Sequence, residues 1–328
     1  MMGSKLRAGV ARRIDCSSHC MLEAHHRRLV ELNHHRLTPR FPSESWRAEL
    51  DHEHALRILE GEVVELERET IAARAAEAPR DPAAFIAWFE NLTHDGAGQG
   101  DPLFPWLADH ATDDQMRWFL HQEVAGEAGF EDLVALTQLK LDDRPKLELA
   151  RNYWDEMGRG TSGGMHGPML SRLAAALDLD ALADSVPVVW ESLALGNIMI
   201  ALAANRRYAY QSLGALGVIE LTAPGRATCV NAGLKRLKCA AHARHYFALH
   251  ATLDLKHSAA WNAEVLLPVV EVEPRAAQAI AEGALLRLEA GRRCFERYRQ
   301  ELGVDLSQPS LASSARPVVR NASPMSLR

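Results

Sequence analysis

Three residues in the stretch YFALHATLDLKH carry side chains that bind metal ions in many proteins. They are His250, Asp254 and His257. On a helix, spacings of four and three residues place them at roughly 0°, 40° and −20° around the axis, so they share one face. This stripe interrupts an otherwise apolar run. It is either a solvated polar face or one part of a metal site that other helices complete.

Other ionisable residues also lie where the sequence pattern predicts burial. Glu220 ends the apolar segment SLGALGVIE, and Glu127 lies among small residues in VAGEAGF. Glu156 and His166 flank the loop MGRGTSGGM, whose glycines allow the chain to fold back so that the two side chains meet. A buried carboxylate needs a hydrogen-bond donor, a cation or a metal ion. Taken alone, however, the loop also fits an ordinary helix–helix turn.

Together these residues form a set of four carboxylates and three imidazoles from four regions of the chain. The set is Glu127, Glu156, His166, Glu220, His250, Asp254 and His257. That many oxygen and nitrogen ligands suit iron or manganese, whereas structural zinc takes fewer ligands and usually thiolates. Di-iron sites in helical bundles use the same ligand types, although the Glu-x-x-His pair of ferritin-like proteins is absent here.

The His-x3-Asp-x2-His segment, preceded by Glu156 and His166 across the glycine loop, resembles the heme-oxygenase-like di-iron oxidases. The resemblance extends over roughly residues 112–270. It implies an all-α, seven-helix heme-oxygenase-like bundle that binds two iron ions and no heme. It further implies an enzyme that uses O2 to oxidise a small amino-acid-like or fatty-acid-like metabolite, by N-oxygenation, desaturation or C–C cleavage. The seven residues above are then its metal ligands.

Some assignments stay open within this resemblance. Glu123 and Glu131 lie one turn either side of Glu127 and are alternatives to it as the first ligand. Either Glu156 or Glu220 would bridge the two ions. Polar residues near these positions in sequence that could anchor a substrate carboxylate are Tyr153, Arg159, Arg206 and Tyr210.

Two other functions compete with an O2-dependent oxidase. One is a metal-independent enzyme on the same fold, like the thiaminase-type or cofactor-maturation members, but the full set of Glu and His residues argues against it. The other is a non-catalytic helical interaction protein, which predicts no iron binding. Fold alone does not choose among them, because one scaffold hosts many reactions.

The elements that must position these residues are predicted to be helices throughout. Apolar residues recur at spacings of three and four, no alternating strand pattern is present, and about eight to ten helices are expected. Asp81 before Pro82, and Thr112 before two acidic residues, are typical helix starts. Pro224 and Gly225 are predicted to stop a long apolar helix pair. The predicted helical segments are 49–77, 81–94, 112–141, 144–160, 166–179, 186–225, 233–270 and 273–303.

Composition and charge indicate an ordinary globular protein. The 328 residues are 47% hydrophobic and carry a net charge of −6, which gives no argument for nucleic-acid binding. No membrane span or signal core is apparent, and the five cysteines are few and scattered, so a cytoplasmic protein is expected. A small-molecule substrate, an external electron donor and a homodimer are the expected partners. The predicted organisation is a basic N-terminal arm (1–40), a helical domain (41–303) and a disordered C-terminal tail (304–328).

Overall fold

The chain folds into helices joined by short connections. The structure, a computed structural model, describes residues 16–42 and 45–304, with side chains from residue 21 onwards. No strand forms within these ranges, so the all-α prediction is confirmed. None of the helices in this part of the chain combines the length and the apolar character that a membrane span requires. The helices are α1 (Cys16–Leu37), α2 (Trp46–Ala75), α3 (Pro82–Asp95), α4 (Leu103–Asp109), α5 (Asp113–Gly126), α6 (Phe130–Thr137), α7 (Asp143–Glu156), α8 (His166–Ala176), α9 (Asp180–Ala183), α10 (Trp190–Ala204), α11 (Ala209–Arg236), α12 (His245–Trp261), α13 (Leu267–Val272) and α14 (Ala276–Leu302).

Helix α11 runs through the centre of the bundle and packs against α14 on one side and α12 on the other. Its contact with α14 is unusually close at Gly214 and Gly283. A Cβ atom on Gly214 would collide with the carbonyl of Ile280, and one on Gly283 with that of Gln211. These two glycines therefore allow the two helix backbones to come into contact. The contact draws the face of α11 that carries Glu220 into the interior.

The N-terminal segment contributes a helix that packs on this bundle. Helix α1 lies against α10 and α2, and Leu29 and Leu32 are buried. His26 is also buried and stacks on Trp190, with the ring centroids 5.6 Å apart. Much of the predicted arm thus shares the core of the domain. Residues 1–15 of the arm and all of the predicted tail except Val304 lie outside the described residues.

The predicted helix over 112–141 is two helices. Thr112 caps α5 through a capping box with Gln115, as the sequence indicated. Helix α5 then ends at Gly126, Glu127 has an extended backbone, and Gly129 has a positive φ of 76° before α6 begins. The break arises because glycine readily adopts the left-handed conformation, and because the Glu127 carboxylate accepts the Gly129 and Phe130 amides at the start of α6.

The prediction that Pro224 and Gly225 end a helix was wrong, because α11 continues through both to Arg236. An internal proline removes one backbone hydrogen bond and costs on the order of 3 kcal/mol. Burial of Pro224 and packing of α11 against α14, α12 and α4 outweigh that cost. Residues on both sides of Pro224 therefore belong to one element.

Candidate metal centre

The stripe on α12 faces the interior of the bundle. His250, Asp254 and His257 are all buried. His250 donates Nδ1–H to the backbone carbonyl of Tyr246 at 2.7 Å, which leaves Nε2 as the free nitrogen of the neutral ring. That Nε2 is buried without a hydrogen-bond partner and lies 3.7 Å from Oε2 of Glu156. The reading of this stripe as a solvated polar face is therefore excluded.

The glycine loop brings Glu156 and His166 together, as the sequence predicted. Met157 and Met165 form an antiparallel bridge across the loop, and Gly158 and Gly160 both have positive φ. Nδ1 of His166 then lies 2.9 Å from Oε2 of Glu156. Two residues ten positions apart are thus placed in direct contact at the facing ends of α7 and α8.

Glu220 and His257 form the other half of the cluster. Nδ1 of His257 lies 3.4 Å from Oε1 of Glu220 and 3.6 Å from Oε1 of Glu156. The other ring nitrogen, Nε2, lies 3.2 Å from Oδ2 of Asp155. Asn152 donates its amide to Oε1 of Glu220 at 2.7 Å. These two contacts orient His257 and Glu220 so that each presents an atom toward Glu156.

Five of the seven predicted ligands thus form two groups that share one residue. Each group places one potential ligand atom per residue within 4.8 Å of the others. The first group is Glu156, His166 and His250, and the second is Glu156, Glu220 and His257. The shared Glu156 is buried between them at the end of α7. Four helices, α7, α8, α11 and α12, contribute the five residues.

The remaining two predicted ligands flank this cluster. Oε2 of Glu127 lies 3.9 Å from Nε2 of His166, and Oδ1 of buried Asp254 has no hydrogen-bond partner. Neither belongs to either group. Of the alternatives to Glu127, Glu123 faces the same cavity but is directed to Tyr298 and two arginines, and Glu131 does not line that cavity.

The carboxylates control the protonation of the histidines. Burial alone would lower the pKa of His166, but the nearby carboxylates of Glu127 and Glu156 raise it well above its usual value. Burial likewise opposes protonation of His257, yet Glu220 raises its pKa to about 9. Burial would raise the pKa of Glu156, but the histidines hold it below its usual value. Protons therefore occupy positions where a metal cation would balance the same negative charge.

A cavity of about 160 Å³ adjoins the cluster. Glu156, His166, Glu220, His250 and Asp254 form one part of its wall, whereas His257 does not line it. The aromatic residues in the remaining wall are Phe104, Phe119, Phe130, Tyr246, Phe247, Phe295 and Tyr298. The arrangement places a small, mostly apolar chamber directly against the first ligand group.

The residues present fit a metal centre on two observations. The side-chain atoms Nε2 of His250, Nδ1 of His257 and Oδ1 of Asp254 are buried without hydrogen-bond partners, a costly arrangement unless another group satisfies them. The donor set is mixed oxygen and nitrogen without thiolate, which suits iron or manganese. Unpartnered atoms on α12 thus face carboxylate and imidazole groups from α7, α8 and α11. This arrangement indicates metal ligands and not a structural hydrogen-bond network.

Comparison with known protein families identifies the family of this chain. A family model described as iron-containing redox enzyme matches residues 117–292, which is more than half of the chain. The chain belongs to the iron-containing redox enzymes. All seven predicted ligands of this iron-containing redox enzyme lie inside the matched region. No curated protein matches the chain significantly.

Three residues of the centre were missed in the sequence. Asn152 and Asp155 share a face of α7 with Glu156, at positions i, i+3 and i+4, and orient Glu220 and His257. Tyr246 places its hydroxyl 3.0 Å from Nε2 of His166 and lies one turn before His250 on α12. Helical spacing from each predicted ligand is the signal that could have found them.

The suggested substrate anchors lie elsewhere. Arg206 donates to backbone carbonyls at the end of α6, and Arg159 pairs with Asp155 at the surface. None of Tyr153, Arg159, Arg206 and Tyr210 lines the cavity. Their proximity to the site in sequence did not translate into proximity in space, because side chains on one helix diverge by about 100° per residue.

Proposed function

We propose that this protein is a non-heme di-iron oxidase or oxygenase that uses O2 to oxidise a small metabolite. The observation that carries the proposal is the position of Glu156, which belongs to both ligand groups and faces a largely apolar cavity. One buried carboxylate between two sets of ligands is the arrangement expected for a pair of metal ions. Glu156 is therefore preferred to Glu220 as the bridging carboxylate.

Each residue has a distinct part in holding the pair. His166 and His250 would bind one ion together with Glu156, while Glu220 and His257 would bind the other. Asp254 and Glu127 lie beside these groups and would complete the ligand set as the imidazoles lose their protons. Asp155 and Asn152 fix the orientations of His257 and Glu220, as hydrogen-bond acceptors and donors commonly do for metal ligands.

The chamber determines where oxidation takes place. A pair of ferrous ions held by these residues would supply the electrons for oxidation by O2, and an external donor would be needed to reduce the pair again. The aromatic lining excludes bulk water and holds the apolar part of a substrate against His250 and Glu156. Oxidation by N-oxygenation, desaturation or C–C cleavage is compatible with this geometry, since each requires only a C–H or N–H bond beside the centre.

The direct test is the iron stoichiometry of the purified chain. Anaerobic titration with ferrous ion, followed by desalting and metal analysis, should give about two ions per chain. Glu156→Ala should lose both ions, because both groups use this residue, and His250→Ala should lose one. Admission of O2 should then produce rapid O2 consumption and a transient visible absorption band in the wild type but not in either variant.

The matched control is His245→Ala, on the same helix as His250 but exposed to solvent. It should bind two ions and consume O2 like the wild type. A wild-type chain that retains no iron would contradict the proposal. Equal iron content in wild type and Glu156→Ala would exclude Glu156 as the shared ligand.

A further inference from the structure

Two arginines stand in the wall of the cavity, apart from the ligand cluster. Arg226 comes from α11 and Arg287 from α14, and both line the chamber. Each is enclosed by the bundle, and burial lowers the pKa of Arg226 to about 10, with a further contribution from the charge of Arg287. Arg226 therefore remains charged near neutral pH, and its charge interacts with that of Arg287 across the cavity wall.

Neither guanidinium has the partner that a buried cation normally requires. Among the described residues, no carboxylate lies within ion-pair distance of Arg226 or Arg287. Arg226 donates only to the Thr222 hydroxyl, at 3.3 Å, and Nε of Arg287 is buried without a hydrogen-bond partner. Leaving such buried donors unmatched is energetically costly, so the site favours an anion.

The surroundings hold both groups in place. The Arg226 guanidinium lies 5.9 Å from the ring of Phe104 and 5.6 Å from that of Phe295. Arg287 occupies space left by Gly291, where a Cβ atom would stand 2.9 Å from its Nη1. The aromatic rings hold the Arg226 guanidinium in place, and the space beside Gly291 accommodates that of Arg287. An arginine on an open surface has neither restraint, so these two side chains are already oriented for ligand binding.

Acidic residues act on both arginines without pairing with them. The charge of Glu123 interacts with both, that of Asp254 also with Arg226, and that of Glu127 also with Arg287. All three carboxylates line the same cavity. None of them lies within ion-pair distance of a guanidinium group, so a ligand carboxylate would supply the close contact that the two arginines lack.

We infer that Arg226 and Arg287 bind the carboxylate of the substrate, which is a carboxylic acid with an apolar body. This identification of the substrate class rests on the proposed function. The arginine fork binds a carboxylate in a bidentate manner. The apolar body then extends along the aromatic lining toward the metal ligands. The substrate carboxylate would then be bound away from the metal ions, and the reacting carbon would lie beside them.

The position of α11 sets the direction of the substrate. Glu220 and Arg226 are six residues apart on this helix, which corresponds to about 9 Å along its axis. One helix thus carries a metal ligand at one end of the chamber and a carboxylate-binding group at the other. Continuation of α11 through Pro224 is what connects the two.

The test is ligand binding to the full chain, measured by calorimetry under anaerobic conditions with and without ferrous ion. The probes are octanoate and its uncharged analogue octanamide. Wild-type protein should bind octanoate at least tenfold more tightly than octanamide. Arg226→Gln and Arg287→Gln should each weaken octanoate binding at least tenfold and leave octanamide binding nearly unchanged.

Arg292→Gln is the matched control, because Arg292 lies on α14 but pairs with Glu289 and Glu296 outside the cavity. It should bind octanoate like the wild type. Octanoate binding that is unaffected by both cavity substitutions would overturn the inference, as would binding that requires iron but neither arginine. If a glutamine variant fails to fold, equal affinity of the wild type for octanoate and octanamide still overturns it.

Failure of this inference is distinguishable from failure of the proposed function. Iron content reports on the ligand cluster alone, and both arginine variants should retain two ions per chain. A chain that binds octanoate through the arginines but no iron would refute the di-iron proposal and keep the carboxylate site.

Discussion

His250 and His257 show how hydrogen bonds prepare single residues for metal binding. In each ring one nitrogen is held by an acceptor, the Tyr246 carbonyl or the Asp155 carboxylate. The other nitrogen is directed toward Glu156. These hydrogen bonds fix which ring nitrogen faces the cluster, so that loss of its proton leaves the lone pair where an ion would bind.

At the same scale, iron binding should depend strongly on pH. Burial and the charge of Glu220 raise the pKa of Asp254 to about 8, and the pKa of His257 is about 9. Both groups hold protons at neutral pH in the metal-free protein and must release them to become ligands. The apparent ferrous affinity should therefore rise between pH 6 and 8, by about tenfold per pH unit for each proton released.

Anaerobic calorimetry in buffers of different ionisation enthalpy measures the protons released per ion. Asp254→Asn removes one titrating group and should lower both the number released and the slope of affinity against pH. An affinity that is constant from pH 6 to 8 would show that these groups are already deprotonated in the metal-free state.

At the scale of elements, the glycine loop between α7 and α8 determines whether Glu156 meets His166. Gly158 has a φ of 60°, and a Cβ atom there would collide with the backbone of Gly164. Gly158→Ala should therefore open the loop and separate the two ligands. The conformational cost of the left-handed backbone alone is about 1–2 kcal/mol. Iron analysis should show loss of the ion bound by the first ligand group.

Gly163→Ala is the matched control within the same loop. This glycine has no atom within 4 Å of an added Cβ and does not need a positive φ. It should bind iron normally. Normal iron content in both variants would show that the loop conformation does not position the ligands.

The second prediction at this scale concerns the contact between α11 and α14. Gly214→Ala should push the two helices apart, because the added methyl group has no space beside the Ile280 carbonyl. The expected loss is about 1–3 kcal/mol or more in the free energy of unfolding. Urea denaturation followed by circular dichroism measures it.

Gly225→Ala lies on the same helix in open space, so it provides the comparison. It should leave stability unchanged or increase it by up to about 1 kcal/mol, because alanine favours helix more than glycine. A Gly214→Ala protein as stable as Gly225→Ala would show that the helices can separate without cost.

At the scale of the whole molecule, the centre joins four helices that are distant in sequence. Ions bound by α7, α8, α11 and α12 would connect these elements in the folded state only. Ferrous ion at 100 times its dissociation constant should stabilise the fold by about 2.7 kcal/mol. Anaerobic thermal unfolding should show a Tm higher by roughly 5 °C.

Glu156→Ala should show no such increase, and a chelator should return the wild type to the metal-free Tm. An increase of equal size in Glu156→Ala would mean that iron stabilises the fold from another position.

The sequence by itself determined the helical fold class and named the residues of the candidate centre. Periodicity identified helices as the element type, although the predicted segments 112–141 and 233–270 each divide into separate helices. The caps at Asp81 and Thr112 marked two helix starts correctly. Spacing alone placed His250, Asp254 and His257 on one face. Local geometry also accounted for Glu156 and His166, because the glycines between them limit the paths that the loop can take.

Only the tertiary structure decided how these parts meet. Pro224 was expected to end α11, and burial between neighbouring helices overrode that local preference. The sharing of Glu156 between two groups depends on the register of α11 and α12 against α7. Arg226 and Arg287 lie near each other because α11 approaches α14 closely at two glycines. Such contacts join residues far apart in sequence, and their geometry follows from packing of whole helices, which local periodicity does not encode.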